Sequence, residues 1–390
     1  MLAFLVFLFA LLFAPCNGSP DQSFNISSTL SHLPDCAVKC LIEAVAASPC
    51  SSTNTTCICT TSSLQDEAET CIRSACTVKQ ALFTQNTTMT ACGAPVRNRE
   101  REYITMALAF CVPANLLILL RILFKLYEAN SFQADDYMIS ATLISGVLGA
   151  VVNICGVAAN GLGRDIWTIE FGQITNFAKF FYIMTILYTL TLNLLKLSML
   201  VFFLRLFPSS VCPRAYKVTM ATTVFTALFT FALLTIGLFP CNPVNFFWLG
   251  WDGEHSGSCV NMQAVAWSYA IIGILLDIWM LAIPLSQVRS LKLSPLKMLG
   301  VGLMFLVGLV ITVVSIIRLQ FLQRFHLDSQ NPTWDYYEIS KWSTIEITVG
   351  MICVCLPSLR LMITRLYQIN GWISVKEGTV TGRTGEQLSV

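Results

Sequence analysis

The chain has 390 residues, 55% of them hydrophobic and only 12% charged, where a soluble domain is nearer a quarter charged. That balance, carried in long uncharged runs, excludes an ordinary water-soluble globule and points to a chain solvated largely by lipid. A net charge of +2 gives no electrostatic basis for nucleic-acid binding.

The first stretch, MLAFLVFLFALLFAPCNG, is apolar but too short to span a bilayer and ends in small residues. It reads as a signal peptide, residues 1–18, cleaved after Gly18. A segment from 19 to 101 follows, with its core at 31–92. It carries Cys36, Cys40, Cys50, Cys57, Cys59, Cys71, Cys76 and Cys92. An even cysteine set behind a signal peptide predicts a disulfide framework, with about 105 pairings open for eight thiols. So short a segment buries too little apolar surface to stand without staples. Paired Cys-x-x-Cys knuckles are missing, so no metal site is expected. The acceptor triplets Asn25-Ile-Ser, Asn54-Thr-Thr and Asn86-Thr-Thr all fall here and none follows residue 100, which predicts glycosylation and an extracellular N-terminus.

Seven apolar spans come next, near 103–125, 137–160, 175–205, 216–239, 263–285, 297–321 and 338–361. They make up a membrane domain over 102–365, followed by a short tail, 366–390. An odd number of crossings puts the C-terminus inside. The segments assigned inside hold Arg121, Lys125, Arg205, Arg214, Lys217, Arg289, Lys292, Lys297, Arg360, Arg365, Lys376 and Arg383. Those outside hold Arg97, Arg99, Arg101, Arg164, Arg324 and Lys341, twelve against six, in agreement with the positive-inside rule. The outer loops are rich in aromatics and turn formers. Cys241 and Cys259 bracket one of them and are expected to pair, with Cys155 as the rival partner. Trp248, Trp251, Trp334, Tyr336 and Tyr337 read either as an interfacial aromatic belt or as the mouth of a cue-binding site, with Asp252, Glu254 and Asp335 supplying polarity.

Two resemblances rest on these stretches. The eight-cysteine pattern, with PDCAVKC at 34–40 and CICT at 57–60, resembles the CFEM module of fungal extracellular membrane proteins. GLGRDIW (161–167), LKLSMLVFFLRLFP (195–208), FPCNPVNFFW (239–248) and CLPSLR (355–360) resemble the fungal rhodopsin-like integral membrane proteins. Together they imply an all-α architecture: a seven-transmembrane bundle preceded by a small disulfide-rich helical domain. They also imply a G-protein-coupled-receptor-like sensor at the plasma membrane, with an extracellular cue and a heterotrimeric G protein as partners. In haem-binding CFEM proteins an aspartate three residues before the fourth cysteine ligates iron; here that place is Asn54, so haem is not expected. Retinal needs a lysine in mid-helix seven, and Lys341 stands only at its outer edge, so retinal is not expected either. Arg205 lacks the preceding acid of an Asp-Arg-Tyr motif.

Ionisable residues inside spans are costly and tend to pair toward the bundle interior. Lys196 and Asp277 fall at similar depth and are expected to meet, with Asn193 one turn from Lys196. Glu346 is expected to line an extracellular pocket near Arg318. These contacts either set helix register or act as a switch. The alternative function is a transporter or channel, against which no inverted repeat is visible. No catalytic set is present: His32, His255 and His326 all lie outside the spans, and no enzyme is expected.

Overall fold

A computed structural model describes residues 33–51, 54–127, 133–288, 295–323 and 329–369. The expected signal peptide, the Asn25 triplet and residues 370–390 lie outside them.

The N-terminal unit is four helices: α1 (Asp35–Ala47), α2 (Thr55–Thr60), α3 (Ser62–Ala75) and α4 (Val78–Ala91). Its interior is small, with Ala37, Cys40, Ala44, Leu64, Ala68 and Ile72 buried across α1 and α3. Four disulfides reinforce it: Cys36–Cys76, Cys40–Cys71, Cys50–Cys57 and Cys59–Cys92. Thr77 and Gln80 cap α4 reciprocally, Thr77 N–H donating to Gln80 Oε1 at 3.0 Å and Gln80 N–H to Thr77 Oγ1 at 3.3 Å.

The remainder is a seven-helix bundle: α5 (Glu100–Tyr127), α6 (Ala134–Val151, continued by a π-turn, Val152–Ala158), α7 (Phe171–Leu206), α8 (Pro213–Leu238), α10 (Met262–Val288), α11 (Pro295–Leu322) and α12 (Pro332–Ile369). Among the described residues six of these are long and apolar enough to cross a membrane, and α11 adds the apolar stretch Gly308–Leu322. Each helix begins before its apolar run. Proline opens α8, α11 and α12, where its missing N–H costs nothing and its φ suits the first turn. A short α9 (Phe246–Leu249) and a two-residue ladder, β1 (Cys241–Asn242) with β2 (Ser258–Cys259), build the loop between α8 and α10.

Lipid gives helices no hydrophobic reason to associate, so close packing and buried hydrogen bonds hold the bundle. Glycine supplies the closeness. A Cβ at Gly146 of α6 would fall 2.1 Å from Met351 Cε of α12, and one at Gly156 would fall 2.6 Å from the Phe180 ring of α7. Side chains facing away are large and apolar: Phe231 on α8 is 73% exposed and Leu275 on α10 is 61% exposed. Such a surface would aggregate in water and is at home in acyl chains.

The seven crossings leave the N-terminal unit on one face, here the near face, and the end of α12 on the other. The unit does not hang free. Leu82 of α4 and Trp251 pack on Ile166 and Ile169 of the loop entering α7 and on Ile174 in its first turn, and Trp251 Nε1 donates to Thr175 at 3.1 Å.

Candidate functional site

The polar groups buried in the bundle fall into three tiers along its axis. In the middle tier α7 contributes Lys196, whose ammonium donates to Asp277 Oδ1 of α10 at 2.6 Å and to the Gly273 carbonyl at 2.9 Å. Beside this pair, Arg318 Nη1 of α11 stands 3.3 Å from Glu346 Oε2 of α12. Tyr188 of α7 donates its hydroxyl to the same carboxylate oxygen at 2.6 Å, and Ser315 donates to the other oxygen. The Arg318 guanidinium lies over the rings of Tyr188 (5.1 Å) and Tyr269 (5.9 Å). Glu346 therefore links α7, α11 and α12. The two pairs together carry no net charge, which is what a low-dielectric interior tolerates.

Two expectations change. Glu346 does approach Arg318, but the cavity it lines is not on the near side. A cavity of about 110 Å³ runs from Lys196, Asp277 and Glu346 past Met199 and Pro284 to Phe203, Leu206 and Leu285, near the far-face ends of α7 and α10. Asn193 does not reach toward Lys196; its amide donates to Thr189 O of its own helix at 2.8 Å.

The far-face tier was not legible as a site. Arg121 of α5 is buried, its Nη2 3.1 Å from Asp135 and 3.6 Å from Asp136 at the start of α6, and its Nη1 bonds the Val354 carbonyl of α12. Lys125 approaches Asp136 at 3.7 Å, and Arg205 at the end of α7 approaches Asp135 at 3.8 Å. Arg205 thus has an acidic partner, supplied by another helix rather than by the preceding residue. Asp135 and Asp136 lie in the first turn of α6, where acids also complement a helix N-terminus.

The near-face tier explains GLGRDIW. Gly161 and Gly163 adopt φ of +120° and +82°, a region open to glycine at little steric cost, and the turn drives Asp165 inward until it is 1% exposed. Its carboxylate receives Arg97 Nε at 3.0 Å and Asn331 Nδ2 at 2.7 Å, and Arg97 Nη2 bonds the same group. Asn331 in turn accepts from Ile166 N–H at 2.9 Å. Arg99 N–H donates to Gly163 O at 2.9 Å, and Gly163 N–H to Thr333 O at 2.9 Å. The linker after the disulfide-rich unit, the loop between α6 and α7, and the start of α12 are thereby stitched together. Two of the arginines before the first span are paired: Arg97 with Asp165, Arg99 with Glu102 and Glu338.

A second clamp joins α4 to the loop after α8. Lys79 lies 3.4 Å from Asp252 and 2.8 Å from Glu254, while His255 Nδ1 is 3.0 Å from Asp252. Burial opposes ionisation of Asp252, but the bonds from His255, the Glu254 N–H and Lys79 prevail and hold its carboxyl at about 2. The near-face aromatics pack against neighbouring side chains. Trp334 lies under Arg97 (4.1 Å), Tyr337 meets Tyr103 at 5.8 Å, Tyr336 meets Phe181 at 5.0 Å, and Trp248 meets Tyr182 at 5.5 Å. Asp335 accepts from Ser329.

Cys241 and Cys259 are bonded to each other, so neither joins Cys155. Asn54 caps α2, its Oδ1 accepting from Cys57 N–H at 3.1 Å. Asn86 is half-buried, its Nδ2 donating to Trp167 O at 2.7 Å, so this acceptor triplet lies in the contact between the unit and the bundle.

A disulfide-stapled helical unit docked on seven membrane-crossing helices defines a multi-pass membrane protein. The chain belongs to the fungal rhodopsin domain family, whose model matches residues 120–365, and residues 29–93 match the CFEM domain. It is similar to a SAT4 family membrane protein of Emericella nidulans, 29% identical over 51% of this chain and 50% of that one. It also resembles the receptor GIN3 of Arthrobotrys oligospora, 22% identical over 65% of this chain and 60% of the relative. A third similar protein is the polyenoic acids biosynthesis gene cluster protein Ba17b of Metarhizium anisopliae, 24% identical over 69% and 77%. The chain thus spans between half and three fifths of the first two relatives' length. No solved structure matches it.

Proposed function

We propose that this protein is a receptor-like sensor of the plasma membrane, with the CFEM unit outside, the C-terminus inside and a heterotrimeric G protein as cytoplasmic partner. The observation that carries this reading is the stitch around Asp165. A flexibly tethered binding module would have no mechanical hold on the helices, whereas here Arg97, Asp165 and Asn331 connect the unit's linker to the starts of α7 and α12. A cue that displaces the unit therefore loads α12, and α12 carries Glu346 into the middle tier and Val354 O onto Arg121. The first belongs to the Arg318–Glu346 ion pair and the second is a charge-assisted hydrogen bond, both discrete contacts between packed helices of the kind that has two arrangements rather than a continuum. The similarity to a protein named a receptor adds to the reading; the chemistry of the cue is left to experiment.

The test uses the full chain in fungal cells. An epitope tag placed between residues 19 and 33 is expected to be reachable on intact cells, and a C-terminal tag only after permeabilisation. The intact protein is expected to co-purify with a G-protein α subunit, and Asp165→Ala is expected to lower the cAMP response to cue addition, measured per receptor at the cell surface. Solute flux through reconstituted vesicles, with no signalling output, would replace the receptor with a transporter.

A further inference from the structure

The cavity in the middle tier has a chemical character of its own, independent of the receptor reading. Its volume of about 110 Å³ equals the bulk share of roughly three to four waters, yet a buried water needs two to four polar partners. Most of this wall is Leu, Met, Phe and Ile, with polar groups at one end only. Water therefore fills the apolar part poorly.

That polar end offers both halves of a hydrogen-bonding site. Lys196 has three donor positions on its ammonium and uses two of them, toward Asp277 Oδ1 and Gly273 O. Asp277 is an acceptor with a second oxygen. Pro284, inside α10, lacks the N–H that would bond the Met280 carbonyl, and both residues line the cavity. A hydroxyl donates once and accepts twice, so it can meet this set from both sides, which a ketone cannot. The Lys196–Asp277 pair is already neutral, so a charged head would bring an uncompensated charge to membrane depth.

We propose that this cavity is a binding site for a short-chain aliphatic alcohol, its hydroxyl on the Lys196–Asp277 pair and its tail along Met199, Met280 and Leu281. The neutrality of the pair sets the selectivity: a carboxylate or ammonium of the same chain length binds about a hundredfold more weakly.

Cys353 makes the site testable, because this free thiol lines the cavity while the neighbouring buried thiol Cys355 does not. The full chain in phosphatidylcholine nanodiscs is treated with methyl methanethiosulfonate, and labelling at each cysteine is followed by peptide mass. Saturating 1-propanol is expected to slow labelling of Cys353 about tenfold and leave Cys355 unchanged. Propanoate and propylammonium at the same concentration are expected to protect neither. The double variant Lys196→Met/Asp277→Leu, which keeps the volume and removes the polar end, is expected to lose the protection by propanol. Equal slowing at Cys353 and Cys355 would reveal a bilayer effect and overturn the site. So would equal protection by the charged homologues, or failure of so small a reagent to reach Cys353 at all. The wild-type comparison decides the matter even if the double variant does not fold.

Discussion

At the scale of single residues, the buried ions divide into those whose role shows in spacing and those whose role depends on the fold. Lys196 and Asp277 are conspicuous as charges inside apolar runs, and they pair with each other in the bundle. Lys196→Ala leaves a carboxylate buried and unpaired, which typically costs about 3–5 kcal/mol, while the volume-matched pair Lys196→Met/Asp277→Leu is expected to be close to neutral. Thermal unfolding of the detergent-solubilised protein separates the two; equal losses would show that packing, not charge, dominates the tier. Asp165 is different. Nothing local marks it out among acidic loop residues, because its donors come from Arg97 and Asn331, far away along the chain. Asp165→Ala strands these donors and is expected to destabilise the near face by about 1.5–3 kcal/mol. Hydrogen exchange over residues 161–168 is the direct readout, and unchanged protection would contradict the assignment.

At the scale of elements, the apolar runs predict seven helices because each must satisfy its own backbone in lipid, a local requirement that needs no partner. What the runs leave out is how a helix is deformed. The π-turn Val152–Ala158 in α6 inserts an extra residue into the turn, and Asn153 within it accepts from Tyr103 OH at 2.9 Å and donates to Thr344 at 3.2 Å. Such turns trade helical regularity for a contact made elsewhere. The acceptor triplets show the same limit. Asn54-Thr-Thr and Asn86-Thr-Thr are equivalent as sequence, yet Asn54 is exposed on the unit while the Asn86 amide is committed to Trp167 O. Endoglycosidase treatment is expected to shift the mass of the peptide bearing Asn54 and leave that bearing Asn86 unchanged; a glycan on Asn86 would mean that the unit does not dock through α4.

At the scale of the whole molecule, the question is how the stapled unit is held to the bundle, and the Lys79–Asp252 clamp gives it a pH signature. The Asp252 carboxyl lies at about 2, below its ordinary 3.8. His255 and the Glu254 N–H, within the same loop, supply the larger part of this lowering; the part that Lys79 of α4 supplies stabilises the docked state above about pH 4 and is withdrawn as pH falls toward 2. Docking, followed by exchange protection of α4, is expected to be flat from pH 7 to about 4 and to weaken below it. Asp252→Asn should remove that particular acid dependence. If protection instead fades between pH 7 and 5, a group other than Asp252 controls the contact. Composition alone settled that this chain lives in lipid, and cysteine number alone that its N-terminal unit is stapled, because both follow from what short segments can bury or satisfy by themselves. Which thiols join, which acid Arg205 and Arg97 find, and where Glu346 meets a cavity were decided only when distant helices came together, since a buried charge is stabilised by whatever opposite charge the fold brings to it, at any distance along the chain.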